Sequence, residues 1–265
     1  MSQLKELLDR LWLDYVAINP QADQIHRLLE ERGESIVNDH IAFRTFDVSR
    51  VNLDVLSRSF LDGGYEAKES YSFTEKKLNA RHFEHPEAGF PKVFISELRT
   101  GEFSDELREV VDGLVAQIPI QMPESWDFPV CGRPWSVSFD TYEALARESE
   151  YAAWLAALGF RANHFTVFIN ELKTFDGIYA FNAFLKDSGF ELNASGGEVK
   201  VSPDCYLEQS STLAARVQVD FLDGAHTIPG CYYEFAKRYP LPDGELFGGF
   251  VAQSADKIFE STDRR

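Results

Sequence analysis

A histidine and an arginine stand four residues apart in Asn38-Asp39-His40-Ile41-Ala42-Phe43-Arg44-Thr45. Strand side chains alternate, so on a strand His40, Ala42 and Arg44 share one face and Ile41 and Phe43 the other. A neutral imidazole can ligate a metal or carry a proton, and a guanidinium can grip a carboxylate with two parallel hydrogen bonds. Taken alone, His40 reads as a solvated side chain on a surface strand. A second copy of the stretch changes that reading. Arg161-Ala162-Asn163-His164-Phe165-Thr166-Val167-Phe168 places His164 124 residues after His40, and Phe184 follows Phe60 by the same 124. After one inserted residue, Gly64-Tyr65-Glu66 is echoed by Gly189-Phe190-Glu191. Two echoes at one offset point to an internal duplication.

Each copy predicts a strand, a helix, a glycine turn and further strands. The first module runs from about 35 to 98: the His40 strand, a helix over 51–62 stopped at Gly63-Gly64, a strand from Tyr65, a basic stretch with Lys76, Lys77 and Arg81, and a last strand over 90–98. The second runs from about 160 to 238: the His164 strand, a helix over 174–188, a turn at Gly196-Gly197, strands over 198–202 and 214–221, a loop bounded by Asp223-Gly224 and Pro229-Gly230, and a last strand over 231–237. Ahead of them, Leu4, Leu7, Leu8 and Leu11, then Ile25, Leu28 and Leu29, follow helical spacing. This pair fills 1–33, with Pro20 near the start of the second helix, Gly33 as its stop and His26 on the surface. Residues 100–158 form a helical connector with helices over 100–123 and 141–158, and the tail over 247–259 holds Gly248-Gly249 and a short helix. The expected architecture is α+β. One domain, 1–265, holds two β-α-β-β-β modules that form a cupped mixed sheet around a metal, with added N-terminal and connector helices.

In paired modules of this order the first and last strands supply ligands to the concave face. On that geometry His40, His164 and Glu234 converge. Two imidazoles and one carboxylate form the facial triad of non-haem Fe(II) sites, with three positions left open. Plainer readings stand beside it. His164 reads equally as a core histidine, and Glu234 as an outward residue of an edge strand. Against the latter, Tyr232-Tyr233-Glu234-Phe235 is strongly apolar, and a buried carboxylate there is costly unless paired or metal-bound. Glu97 is the rival ligand at the end of the matching strand, six residues from Pro91 where Glu234 stands five from Pro229. His82 and His85 are three apart, a spacing that faces opposite sides of a strand, and they are expected in a loop. His226 lies in the Gly-Pro loop, at most on the rim of the site.

Composition narrows the class. An apolar fraction of 44% with 22 Phe is that of a folded globular protein. A net charge of −17 disfavours nucleic acid and anionic membrane as partners, and it repels anionic substrates unless a local Arg or Lys receives them. Cys131, Cys205 and Cys231 are odd in number and form no C-x-x-C, which suits a reducing compartment. There is no apolar run long enough to cross a bilayer, and the first segment reads as an amphipathic helix rather than a signal peptide. The expected location is cytoplasmic.

The stretch His40-Ile41-Ala42-Phe43-Arg44-Thr45, with Asn163-His164-Phe165-Thr166, Tyr233-Glu234-Phe235 and the tail Asp256-Lys257-Ile258-Phe259-Glu260-Ser261-Thr262, resembles the 2-oxoadipate dioxygenase/decarboxylase family. The resemblance covers most of the chain and implies a fold akin to the vicinal oxygen chelate superfamily. It implies that His40, His164 and Glu234 hold Fe(II) and that Arg44 binds a substrate carboxylate. It also implies conversion of 2-oxoadipate and O2 to 2-hydroxyglutarate and CO2, a step of lysine catabolism. The chain is shorter than the family's long members, and their later substrate contacts fall in the region of Gly249, Val251 and Ser254. Two other classes share the residues. With Zn2+ or Ni2+ the same cup would serve a lyase, isomerase or hydrolase, which metal analysis and O2 consumption separate. A small-molecule binding module would need an occluded or missing triad.

Overall fold

The structure, a computed structural model, describes residues 2–201 and 206–251 of the chain. Two helices come first. In α1 (Gln3–Ile18) the Ser2 hydroxyl accepts from Lys5 N, and Leu4, Leu7, Leu11 and Tyr15 form the buried stripe. Pro20 starts α2 (Pro20–Glu31), where its missing N–H costs nothing. The chain then enters β1 (Asn38–Phe46), the helical turns α3 (Leu53–Leu56) and α4 (Arg58–Asp62), and the strands β2 (Glu66–Phe73), β3 (Leu78–Glu84) and β4 (Lys92–Leu98). The connector supplies α5 (Asp105–Ala116), α6 (Phe139–Glu148) and α7 (Glu150–Leu158). Next come β5 (Ala162–Phe168), α8 (Ile178–Asp187), β6 (Lys200–Val201), β7 (Leu207–Ser211), β8 (Arg216–Phe221), β9 (Gly224–Pro229) and β10 (Glu234–Arg238).

Among the described residues, eight strands form one mixed sheet in the order β2-β3-β4-β1-β5-β10-β7-β6. The first and last strands of each half lie side by side and parallel, β1 with β4 and β5 with β10. The halves meet at the antiparallel β1–β5 pair, with His40 opposite Thr166 and Ala42 opposite His164. The mixed α+β sheet expected from the sequence is therefore present. One face is covered by α1, whose Trp12 and Tyr15 rings stand 5.1 and 5.0 Å from Phe165. The helices of the two halves pack on the same side, with Phe60 5.3 Å from Phe43 and Phe181 4.8 Å from Phe235. The other face carries His40, Ala42 and Arg44. There α7 packs at one end, its Tyr151 hydroxyl bonded to the hydroxyl and carbonyl of Ser96.

Several elements differ from the sequence reading. The helix expected over 141–158 is two helices, because Ser149 is extended and its hydroxyl accepts from Ala152 N to start α7. The helix expected over 51–62 is likewise broken at Ser57, and that expected from residue 100 begins only after a short 3-10 turn, at Asp105. The strand over 214–221 does not belong to the large sheet. It is β8, and it pairs with β9 across Leu222 and Asp223 as a separate hairpin, so the supposed Gly-Pro loop is itself a strand. The sheet position is taken by β7, which sequence reading missed. Leu207-Glu208-Gln209-Ser210-Ser211 lacks the β-branched alternation of a strand, yet Gln209, Ser210 and Ser211 are buried because they have polar partners inside. His82 lies in β3 rather than a loop. The tail helix and Ser254 lie outside the described residues.

Candidate metal centre

His40 and His164 come from the adjacent strands β1 and β5, and Glu234 opens β10 opposite Thr166. All three are buried, at 2%, 5% and 1% exposure. His40 Nε2 lies 3.4 Å from His164 Nε2, and each faces one oxygen of the Glu234 carboxylate at 3.3 Å. A point among these atoms is roughly 2 Å from each, the length of metal–imidazole and metal–carboxylate bonds. The group is the candidate metal-binding cluster among the described residues.

The surroundings orient the imidazoles for that use. His40 Nδ1 donates to Asp39 Oδ2 at 2.7 Å, and His164 Nδ1 lies 3.1 Å from Asn163 Oδ1. Both bonds engage Nδ1 and leave the Nε2 atoms facing inward, as ligating histidines require. Gln209 Nε2 donates to Glu234 Oε1 at 2.6 Å, and the Tyr232 ring stacks on His164 at 4.7 Å. Asn163 Nδ2 is buried without a hydrogen bond, on the wall of the same cavity. Burial disfavours charge on His40, but the bonds to Asp39 and Glu234 outweigh it and hold this imidazole above its ordinary pKa. Burial, together with the charges of His40 and Arg44, holds His164 well below the ordinary value, so it is neutral at pH 7. Two inward Nε2 atoms beside a buried carboxylate therefore fit a divalent cation.

Asp39 is itself held by Arg238, which gives Nε to Oδ1 at 2.6 Å and Nη2 to Oδ2 at 2.8 Å. Burial pushes the Asp39 carboxyl up, but the Arg238 charge and the bonds from His40 and Arg238 bring it far below the usual range. The third nitrogen of Arg238, Nη1, donates to the carbonyls of Phe247 and Gly249, each at 2.8 Å. That clamp seats Phe250 against the site, its ring 4.8 Å from His40 and 4.8 Å from Phe94. Arg238, Gln209, Asn163 and Phe250 escaped sequence reading. One signal was available: Asp39-His40 and Asn163-His164 both put an oxygen-bearing side chain directly before the histidine.

The rival residues separate from the cluster. Glu234 pairs with Thr166, two after His164, and Phe94 pairs with Ala42, two after His40, so Phe94 is the register counterpart of Glu234. Glu97 points elsewhere and accepts from Leu53 N at 2.9 Å, capping α3. His226 stacks on Phe139 at 3.7 Å in the separate hairpin, and His85 packs on Phe90. His82 is buried between Tyr71 and Glu84, beside Phe250. Arg44 lies on the His40 face with its Cζ 5.0 Å from the Tyr151 ring and 5.0 Å from the Trp154 ring. Asp39 is engaged by Arg238 and Asp47 by Thr100. Val251 is half-buried at the end of the described chain.

The family profile of 2-oxoadipate dioxygenase/decarboxylase matches residues 3–128 and 133–246. The chain belongs to the 2-oxoadipate dioxygenase/decarboxylase family. An Arabidopsis thaliana relative named 2-oxoadipate dioxygenase/decarboxylase, chloroplastic, is 34% identical over 98% of this chain and 78% of its own length. The Oryza sativa hydroxyglutarate synthase, solved in complex with 2-oxoadipate, superposes with a TM-score of 0.92 at 34% identity, covering 98% of this chain and 92% of that one. A Shewanella frigidimarina protein provisionally named a hydrolase gives 0.91 at 52% identity over 95% and 99% of the two chains. A glyoxalase-superfamily protein from Ralstonia eutropha, at 22% identity, TM-score 0.79 and 92% and 84% coverage, shares the fold.

Proposed function

We propose that this family member converts 2-oxoadipate and O2 to 2-hydroxyglutarate and CO2, with Fe(II) held by His40, His164 and Glu234. The atoms balance: C1 leaves as CO2 with its own two oxygens, one oxygen of O2 completes the new carboxylate at the former keto carbon, and the other becomes the hydroxyl of the shortened acid. We place the step in lysine catabolism and in the cytoplasm, where Cys131 and Cys231 stay reduced, their thiols pushed up by burial to about 12. The observation that carries the reading is the convergence of two Nε2 atoms and one carboxylate on the sheet face that also bears Arg44.

Bound iron would supply the open coordination positions and the redox capacity for oxidative decarboxylation. The protein supplies the rest. Asp39 and Asn163 hold the two imidazoles in the ligating tautomer. Gln209 fixes one oxygen of Glu234 so that the carboxylate does not rotate away. Arg44 offers a two-pronged fork for the distal carboxylate of the 2-oxo acid. Ala42, Phe94 and Phe250 form an apolar wall that excludes water from the reacting carbon. Val251, next to Phe250, and Ser254, outside the described residues, are the further candidates for substrate contact.

Purified protein with Fe(II) and a panel of 2-oxo acids tests the reading, with and without O2. The expected result is O2-dependent release of CO2, greatest on 2-oxoadipate. Turnover that persists without O2, or that needs Zn2+ instead, would assign the hydrolase or lyase chemistry.

A further inference from the structure

The inner cavity, walled by His40, Arg44, His164, Glu234 and Phe250, has a volume of about 30 Å3, room for roughly one water. A six-carbon dicarboxylate therefore has to displace part of its wall. Two parts reach outward. One is Phe250, on the strand edge beside Tyr71 and His82. The other is the partition made by Arg44, Tyr151 and Ser96. Arg44 borders the inner cavity on one side and, with Tyr151, a second cavity of about 420 Å3 on the other. That outer cavity lies between the β2–β3 turn and the α6–α7 junction.

The two routes differ in charge. Beside Phe250 stand Glu69, hydrogen-bonded by the Tyr71 hydroxyl, and Glu84, paired with Lys92, while Arg238, 5.2 Å from the Phe250 ring, is paired with Asp39. A dianion meets net negative charge there. The outer cavity carries Arg44, Lys76, Lys77 and Arg147. Its acids are Glu75, Glu148 and Glu150, and Glu148 is engaged by the backbone and hydroxyl of Ser104 at 2.7 and 2.6 Å. Lys77 is bent over it, with φ of 54° where a lysine is rarely found, its ammonium bonded to the Glu102 carbonyl at 2.6 Å and lying 4.1 Å from the Phe103 ring. Lys76 and Arg147 line the same cavity. In a chain of net charge −17, a lining with one more cation than acids is a local exception.

We propose that this outer cavity is the access subsite for the dicarboxylate, which is received by Lys76 and Arg147 and handed through the Arg44–Tyr151 partition to the metal face. The proposal rests on the 2-oxo dicarboxylate reading above. Like charge over the rest of the surface repels the substrate, so a cationic mouth acts mainly on the association rate and loses its effect with salt.

The test is anaerobic stopped-flow binding of 2-oxoadipate to the Fe(II)-loaded protein, followed by tryptophan fluorescence, since Trp154 stands beside Arg44. The Lys76→Glu/Arg147→Glu variant should associate about tenfold more slowly at low ionic strength, with the deficit vanishing near 0.5 M salt and the dissociation rate much less affected. The Lys76→Gln/Arg147→Gln variant should fall between. An unchanged association rate in both variants overturns the proposal, and so does a rate that responds to Phe250→Ala instead. Binding without O2-dependent CO2 release refutes the proposed reaction while the rim variants still decide the access route. A wild-type protein that binds no 2-oxoadipate overturns both.

Discussion

Asp39 decides how His40 faces the proposed metal position. It is 6% exposed, and its two oxygens are shared between His40 and Arg238. Asp39→Asn leaves a buried guanidinium without its counter-charge, a loss of about 3–5 kcal/mol in denaturant unfolding. The same variant should bind Fe(II) about 10- to 100-fold more weakly by anaerobic titration, the usual consequence of removing a histidine's carboxylate partner. Unchanged affinity with lowered stability would make Asp39 a structural acid only. Arg44→Lys tests substrate class. A point charge cannot replace a two-pronged fork, so kcat/KM on 2-oxoadipate should fall about 10- to 100-fold, as charged hydrogen bonds contribute about 1.5–3 kcal/mol. A monocarboxylic 2-oxo acid of similar length should lose far less. Equal losses on both would assign Arg44 to the shared 2-oxo carboxylate.

At the scale of elements, the strands carry both the ligands and their supports. Arg238 closes β10 four residues after Glu234, so one short strand provides a proposed ligand and the anchor of the Phe247–Phe250 segment. On the far side that segment is held through Tyr71, whose hydroxyl accepts from Phe250 N at 3.1 Å. Tyr71 in turn meets His82, His82 meets Glu84, and Glu84 pairs with Lys92, a chain across β2, β3 and β4. The His82 bond and Lys92 bring the Glu84 carboxyl down to about 2 against the effect of burial. A depressed carboxyl stabilises the fold above its unfolded pKa, near 4.3, and that contribution is lost as pH falls towards the folded value. Glu84→Gln should therefore lower the melting temperature at pH 7 and narrow its deficit from wild type between about pH 4.3 and 2. A deficit independent of pH would mean that the carboxylate charge plays no part.

Across the whole molecule, the cluster joins the two halves of the sheet. His40 belongs to the first half and His164 and Glu234 to the second, with the β1–β5 pair between them. A metal bound there is linked to folding of both halves, since ligands that bind only the native state stabilise it by mass action. Calorimetry should show one unfolding transition that moves upward with Fe(II) and downward with a chelator. Two transitions, only one of them metal-sensitive, would contradict that coupling.

How much was legible follows from the range over which each feature is determined. The repeated His-bearing strands, the leucine stripes of α1 and α2 and the apolar strand around Glu234 are local patterns, because burial of one face leaves a period in the chain. Their order carried the fold class and the three candidate ligands. The choice of Glu234 over Glu97 was not local: strand register made Phe94, not Glu97, the counterpart, and register depends on pairing between distant strands. Strand β7 was hidden because its inward side chains are polar, and they are buried only because Glu234 and Asn182 wait for them across the fold. Arg238 and Phe250 look ordinary in sequence. Only the tertiary structure brings Arg238 to Asp39, 199 residues away, since the partner that makes a buried charge affordable lies on another strand.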